Sequence, residues 1–185
     1  MSFQASVASF RVAVSTALVL FCSTCAACGS DSPATCVEPL DPAGTHYGRT
    51  AGEWLADWSR WLYETPASQH PVTDTTGEHC AVNQPGGEVF YLAGTYGGPM
   101  VTRTCAVPAG PALFVPFLVW FNDNGGVPMP VPDEELPQFV EQQLANGVQL
   151  SAELDGCQLS GLERHKTSIE EFSYDCPEGD CIYSE

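Results

Sequence analysis

The sequence predicts a single disulfide-stapled domain of mostly-β or α+β class: an antiparallel, sandwich-like sheet with one or two amphipathic helices packed on it. Three observations carry this expectation. Short β-branched and aromatic runs recur between glycine- and proline-rich turns. One segment has strict helical periodicity with a start signal. Six of the nine cysteines lie beyond the N-terminal region, at Cys36, Cys80, Cys105, Cys157, Cys176 and Cys181.

The 185 residues are 44% hydrophobic, enough for a real core in one domain. A formal charge of −17 repels nucleic acid and anionic lipid surfaces, which excludes a binder of phosphate backbones. The acids are dispersed rather than in runs, as suits solubility.

Residues 1–27 read as a signal peptide. They hold no acid and a single base, Arg11, followed by the apolar run Val12–Phe21 and then small residues. The run is short for a membrane span, which needs about 20 apolar residues. The exit resembles a bacterial lipobox, with Cys28 as the acylated residue, although Cys25 stands where an aliphatic residue is usual. Cysteine arithmetic supports lipidation of Cys28. With Cys22 and Cys25 in the signal and Cys28 under lipid, an even set of six remains, which fits an oxidising compartment. Residues 28–44 are proline-rich and aperiodic, as a tether is, and residues 45–185 form the globular domain.

The clearest helix follows Thr50. Thr50-Ala51-Gly52-Glu53 matches a capping box. Trp54, Leu55, Trp58, Trp61 and Leu62 fall within about 120° of arc at helical pitch. Such a stripe is expected to be core, with sugar stacking as the alternative. Pro66 ends it.

After a loop from Pro66 to Gly87, three strand-like runs follow: Val89–Ala93, Val101–Val107 and Ala112–Phe121. Arg103 lies on the more apolar face of the second run. A buried guanidinium must be paired, and in so acidic a chain an internal carboxylate is the expected partner, ahead of a ligand carboxylate or phosphate. A second helix is expected over Asp133–Asn146. Val148–Leu154 alternates apolar and polar residues, and Asp155-Gly156 reads as a hairpin turn into Cys157. Ile169, Phe172 and Tyr174 suggest one more short strand, before a terminal loop clasped between Cys176 and Cys181.

No nucleophile elbow, phosphate loop or dinucleotide fingerprint is present, and no histidine pair has zinc spacing. The disulfides expected are Cys80–Cys105 and Cys176–Cys181, with Cys36–Cys157 as the remainder. No cofactor is required. Calcium is the metal candidate, at Asn122, Asp123 and Asn124 with Glu134 and Glu135 nearby, or at Asp175, Glu178 and Asp180. Turn formation explains the first group equally well.

Several motifs together carry a resemblance: Trp54-x3-Trp58-x2-Trp61, Asp74-Thr-Thr-Gly77, Phe90-Tyr-Leu-Ala-Gly-Thr-Tyr-Gly-Gly98, and Val101-Thr-Arg-Thr-Cys-Ala-Val-Pro-Ala-Gly110 followed by Ala112-Leu-Phe-Val-Pro116. They resemble a group of exported bacterial proteins without an established activity. The resemblance covers about Thr45 to Leu159, implies a shared domain and lends no catalytic residue. Such proteins continue through further strand-like sequence, so it implies a shortened C-terminal part here, with a sheet edge left uncovered.

The functional expectation is an exported lipoprotein of the cell envelope, held at the membrane by its N-terminal lipid. It would act as a non-catalytic binding or structural module toward an unidentified protein or glycan. Two alternatives stay open. One is a secreted carbohydrate-active or other hydrolase, which requires two carboxylates across one cleft. The other is a calcium-stabilised adhesion module.

Overall fold

Helix α1, Ala51–Tyr63, organises the domain. The fold is taken from a computed structural model that describes residues 36–96, 100–119, 132, 135, 150–169 and 172–182. The capping box is formed in both directions. Glu53 N donates to Thr50 Oγ1 at 3.3 Å, and Thr50 N donates to Glu53 Oε2 at 2.8 Å. Those bonds from the Thr50 backbone and hydroxyl hold the exposed Glu53 carboxyl below its ordinary range. The helix stops at Tyr63, just ahead of Pro66, whose ring cannot continue it.

The tryptophan stripe is core. Trp58, Trp61 and Leu62 are buried, in one cluster with Val72, Val89, Tyr91 and Ala93. Each indole also finds a backbone acceptor, which pins the helix to three separate segments. Trp54 Nε1 donates to His46 O at 2.8 Å, Trp58 Nε1 to Leu92 O at 2.9 Å, and Trp61 Nε1 to Val82 O at 2.9 Å. Tyr91 sits among the rings of Trp54, Trp61 and Phe114, with centroids 5.6–6.4 Å apart.

A second face of α1 is buried as well. Ser59 and Tyr63, one turn apart, are inaccessible, although the stripe does not include them. Residues 172–182 cover that side. Tyr63 stacks on Tyr174 at 4.5 Å and on Phe172 at 6.1 Å. Arg60 Nε donates to Ser173 O at 3.0 Å, and Asp175 N to Glu64 Oε1 at 3.2 Å. Phe172 and Tyr174 thus serve as a strap across the helix, outside any strand ladder.

The fold is of mixed α/β class, with three two-stranded ladders that do not close into a sandwich among the described residues. β1 (Thr45–His46) and β2 (Arg49–Thr50) form a tight antiparallel hairpin through Tyr47 and Gly48, both at positive φ. β5 (Ala152–Leu154) and β6 (Cys157–Leu159) pair antiparallel through Asp155-Gly156, also at positive φ, as that dipeptide predicts.

The central pair departs from expectation. β3 (Val89–Tyr91) and β4 (Ala112–Phe114) run parallel, in register Val89 with Ala112 and Tyr91 with Phe114. A parallel pair needs a long crossover, and residues 92–111 supply it. Within that crossover 101–107 joins no ladder, so it is not the middle strand of an antiparallel sheet. Its side chains still alternate. Val101, Arg103, Cys105 and Val107 are half-buried, and Thr102, Thr104 and Ala106 are exposed. β3 has a further partner in the Gln84 side chain. That amide accepts from Tyr91 N and donates to Tyr91 O and Cys80 O, each at 2.9 Å, in place of a neighbouring strand.

Disulfide bonds join Cys36 to Cys157, Cys80 to Cys105 and Cys176 to Cys181, with Cα separations of 5.6, 5.7 and 5.3 Å. The first ties the N-terminal segment to β6 across 121 residues, and closing so long a loop restricts the unfolded chain strongly. Apart from Glu135, the expected helix Asp133–Asn146 and the first residues of the alternating run Val148–Leu154 lie outside the described residues.

Candidate functional site

Arg103 is the charged residue around which the described loops converge. The Asp74-Thr-Thr-Gly77 turn builds one wall. Asp74 Oδ1 accepts from Thr76 N and Thr76 Oγ1, both at 2.7 Å, while Oδ2 accepts from Gly77 N and His79 N, both at 2.9 Å. Burial acts to raise the Asp74 carboxyl, but these four donors outweigh it and hold the group far below the usual carboxylate range.

The turn is welded to 101–107 at three points. Thr104 N donates to Thr76 O at 2.9 Å, and Cys80 is bonded to Cys105. Gly77 lies against the Thr104 backbone with φ +98°, where a Cβ would collide with that carbonyl group. Asp-Thr-Thr-Gly therefore reads as a turn shaped to receive the crossover.

Within this frame the Arg103 fork spans two more segments. Nη1 donates to Ala93 O at 2.9 Å and Gly94 O at 3.1 Å, and Nη2 donates to Val72 O at 2.9 Å. The expected carboxylate partner is absent among the described residues. Backbone carbonyls take that role because the loop ends present acceptors no ladder uses. Asp74, the nearby acid, is already committed to three N–H groups and the Thr76 hydroxyl and acts through space. Burial lowers the Arg103 pKa and the Asp74 charge opposes the shift. Only Nε is buried without a partner.

His70 completes the cluster and is almost fully buried. Its Nε2 lies 2.9 Å from Leu62 O, and Val72 N lies 3.3 Å from its Nδ1. A carbonyl can only accept and an N–H can only donate, so the ring is the neutral Nε2–H tautomer. Desolvation lowers its pKa, while the bond to Leu62 O works the other way.

An open groove of about 520 Å³ lies beside this cluster of loops, floored by Val89 and Phe90 and walled by Gln84, Gly87, Ala106 and Pro108. None of its lining residues is ionisable, so it offers shape and apolar contact without acid–base chemistry.

Cys28, Asn122, Asp123, Asn124 and Glu134 lie outside the described residues, and Glu135 is exposed. Asp175, Glu178 and Asp180 are described but do not converge. The Asp180 carboxylate receives Ser68 N at 3.0 Å and Ser68 Oγ at 2.6 Å instead. Among the described residues no three histidine, cysteine, aspartate or glutamate side chains are grouped as a metal would need. Likewise, no described helix is long and apolar enough to cross a membrane. Sequence reading passes over Gln84 and takes His70 only as one of four scattered histidines, with His46, His79 and His165, that lack zinc spacing. Gln84 gave no signal, and His70, four residues beyond the helix-ending Pro66, gave only its position near the helix end.

No protein-family model, no curated protein and no solved structure matches this chain.

Proposed function

We propose that the chain is an exported lipoprotein of the cell envelope that works as a binding or structural module rather than as a catalyst. The observation that carries this reading is the cysteine inventory. The three disulfides use all six cysteines beyond residue 28. Of the three cysteines that remain, Cys22 and Cys25 fall within the signal-like segment and Cys28 stands at its exit, available to lipid. Membrane attachment follows from that lipid, and the acidic surface keeps the domain itself off anionic headgroups. A non-catalytic role is supported at Arg103, whose Nη groups are spent on three carbonyls of its own chain. The groove over Val89 and Phe90 suits an apolar segment of a protein partner. Metabolic labelling with radioactive palmitate tests the assignment. The wild-type chain is expected to take up label and Cys28→Ser to take up none. An unlabelled wild type, or a labelled variant, overturns it.

A further inference from the structure

His70 ties the C-terminal end of α1 to the start of the loop that follows it. Its ring connects the last turn of α1, through Leu62 O, to the loop that follows, through Val72 N. Its own carbonyl then accepts from Thr73 N, Asp74 N and Thr73 Oγ1 at 3.1–3.2 Å, so the loop is built on this one residue. Two residues on, Val72 O is the carbonyl that holds Arg103 Nη2.

We propose that His70 is an acid-sensitive latch: protonation of its Nδ1 frees the Pro71–Cys80 loop and the Arg103 fork while the tryptophan core stays folded. A proton on Nδ1 replaces the acceptor that Val72 N–H needs with a second donor, and the two N–H groups then face each other in a dry site. The groups around the ring do not offset the new charge. Arg103, across Val72, is itself a cation. Asp74 is negative, but its oxygens are taken up by Thr76, Gly77 and His79. Glu64, at the end of α1, is turned to Asp175 N. The Tyr96 ring stacks on the imidazole at 6.5 Å and carries no charge near neutral pH. Only the C-terminal carbonyls of α1 favour the imidazolium, through the bond at Leu62 O.

The opening has a boundary. Cys80–Cys105 and the bond from Thr104 N to Thr76 O keep the far half of the loop attached to 101–107, and the Trp58 and Trp61 contacts do not pass through His70. Acid therefore loosens one loop and the crossover residue it holds, and leaves α1 in place.

Hydrogen exchange read by mass spectrometry on the full, disulfide-intact chain tests this, at about pH 7.5 and about pH 5 with intrinsic rates corrected. Peptides covering Pro71–Cys80 are expected to lose protection several-fold at the lower pH, while α1 peptides keep theirs. In His70→Gln, whose amide can bond both Leu62 O and Val72 N without titrating, the loop is expected to show no such pH dependence. A wild-type loop equally protected at both pH values overturns the latch, as does loosening that persists in the variant. If the variant does not fold, the imidazole nitrogen shifts of the wild-type protein decide. A His70 pKa at or above the ordinary histidine range, or an Nδ1–H tautomer, overturns the proposal.

Discussion

Replacing Arg103 by methionine removes three hydrogen bonds while keeping most of the side chain's bulk. Bonds from a charged donor contribute about 1.5–3 kcal/mol each in well-buried settings. Arg103 is only half-buried, and the carbonyls of Val72, Ala93 and Gly94 regain some water once it is gone. A loss of about 3 kcal/mol is therefore expected for the set. Lysine at the same position separates charge from geometry. It keeps the cation, but one ammonium cannot reach both Val72 O and the Ala93–Gly94 pair, so it recovers only a minor part of the loss. Urea unfolding of the oxidised protein, followed by tryptophan fluorescence, measures both variants. The midpoint should fall without a change in slope, since the surface exposed on unfolding stays the same. A methionine variant within about 0.5 kcal/mol of wild type would refute the clamp and return Arg103 to the role of an unused cation.

Trp58→Phe leaves Leu92 O without its donor and removes part of a buried ring, for a cost of about 2 kcal/mol, readable in the same unfolding assay. Gly77→Ala places a methyl against the Thr104 backbone at φ +98°. It is expected to destabilise by at least about 2 kcal/mol, and more than alanine at Gly86, where φ is also positive but the space is open. Asp74 gives an acid limb. Its folded pKa lies below the unfolded value, so its stabilisation is complete above about pH 4 and is lost as the pH falls below that. Melting temperatures across this range should show a steeper acid decline for wild type than for Asp74→Asn. A parallel decline would mean that the turn does not depend on the charged carboxylate.

The parts of the fold visible in the sequence are those set by local pattern. Thr50 and Glu53 marked the helix start, the tryptophan spacing marked its buried face, and Asp155-Gly156 marked a hairpin. What the sequence hid was set by contacts distant along the chain. The residues of 101–107 alternate like a strand, yet their backbone bonds go to a loop, and period-two patterning does not distinguish a ladder from a single extended segment lying on a core. The parallel pairing of β3 and β4 was obscured by Pro108-Ala109-Gly110, a turn signal that implies a hairpin until the whole crossover is seen. Ser59 and Tyr63 fall off the tryptophan stripe, and the strap that buries them arrives more than a hundred residues later. Tyr47-Gly48, by contrast, was a readable hairpin signal that went unused.

At the site, sequence reasoning found Arg103 and misjudged its partner. The scarcity of bases argued for a carboxylate, but hydrogen-bond accounting at the loop ends decided for carbonyls. Asp74-Thr-Thr-Gly77 stood out in the sequence as a motif within a loop but was silent about its target, because only the Gly77–Thr104 approach explains why glycine stands there.

An intact mass of detergent-extracted protein tests most directly whether the domain is lipid-tethered and fully oxidised, as proposed. The predicted species begins at Cys28, carries diacylglycerol and acyl mass, and gains two hydrogens for each of three bridges on reduction. An unmodified N-terminus, or a mass that does not change with reductant, would contradict it.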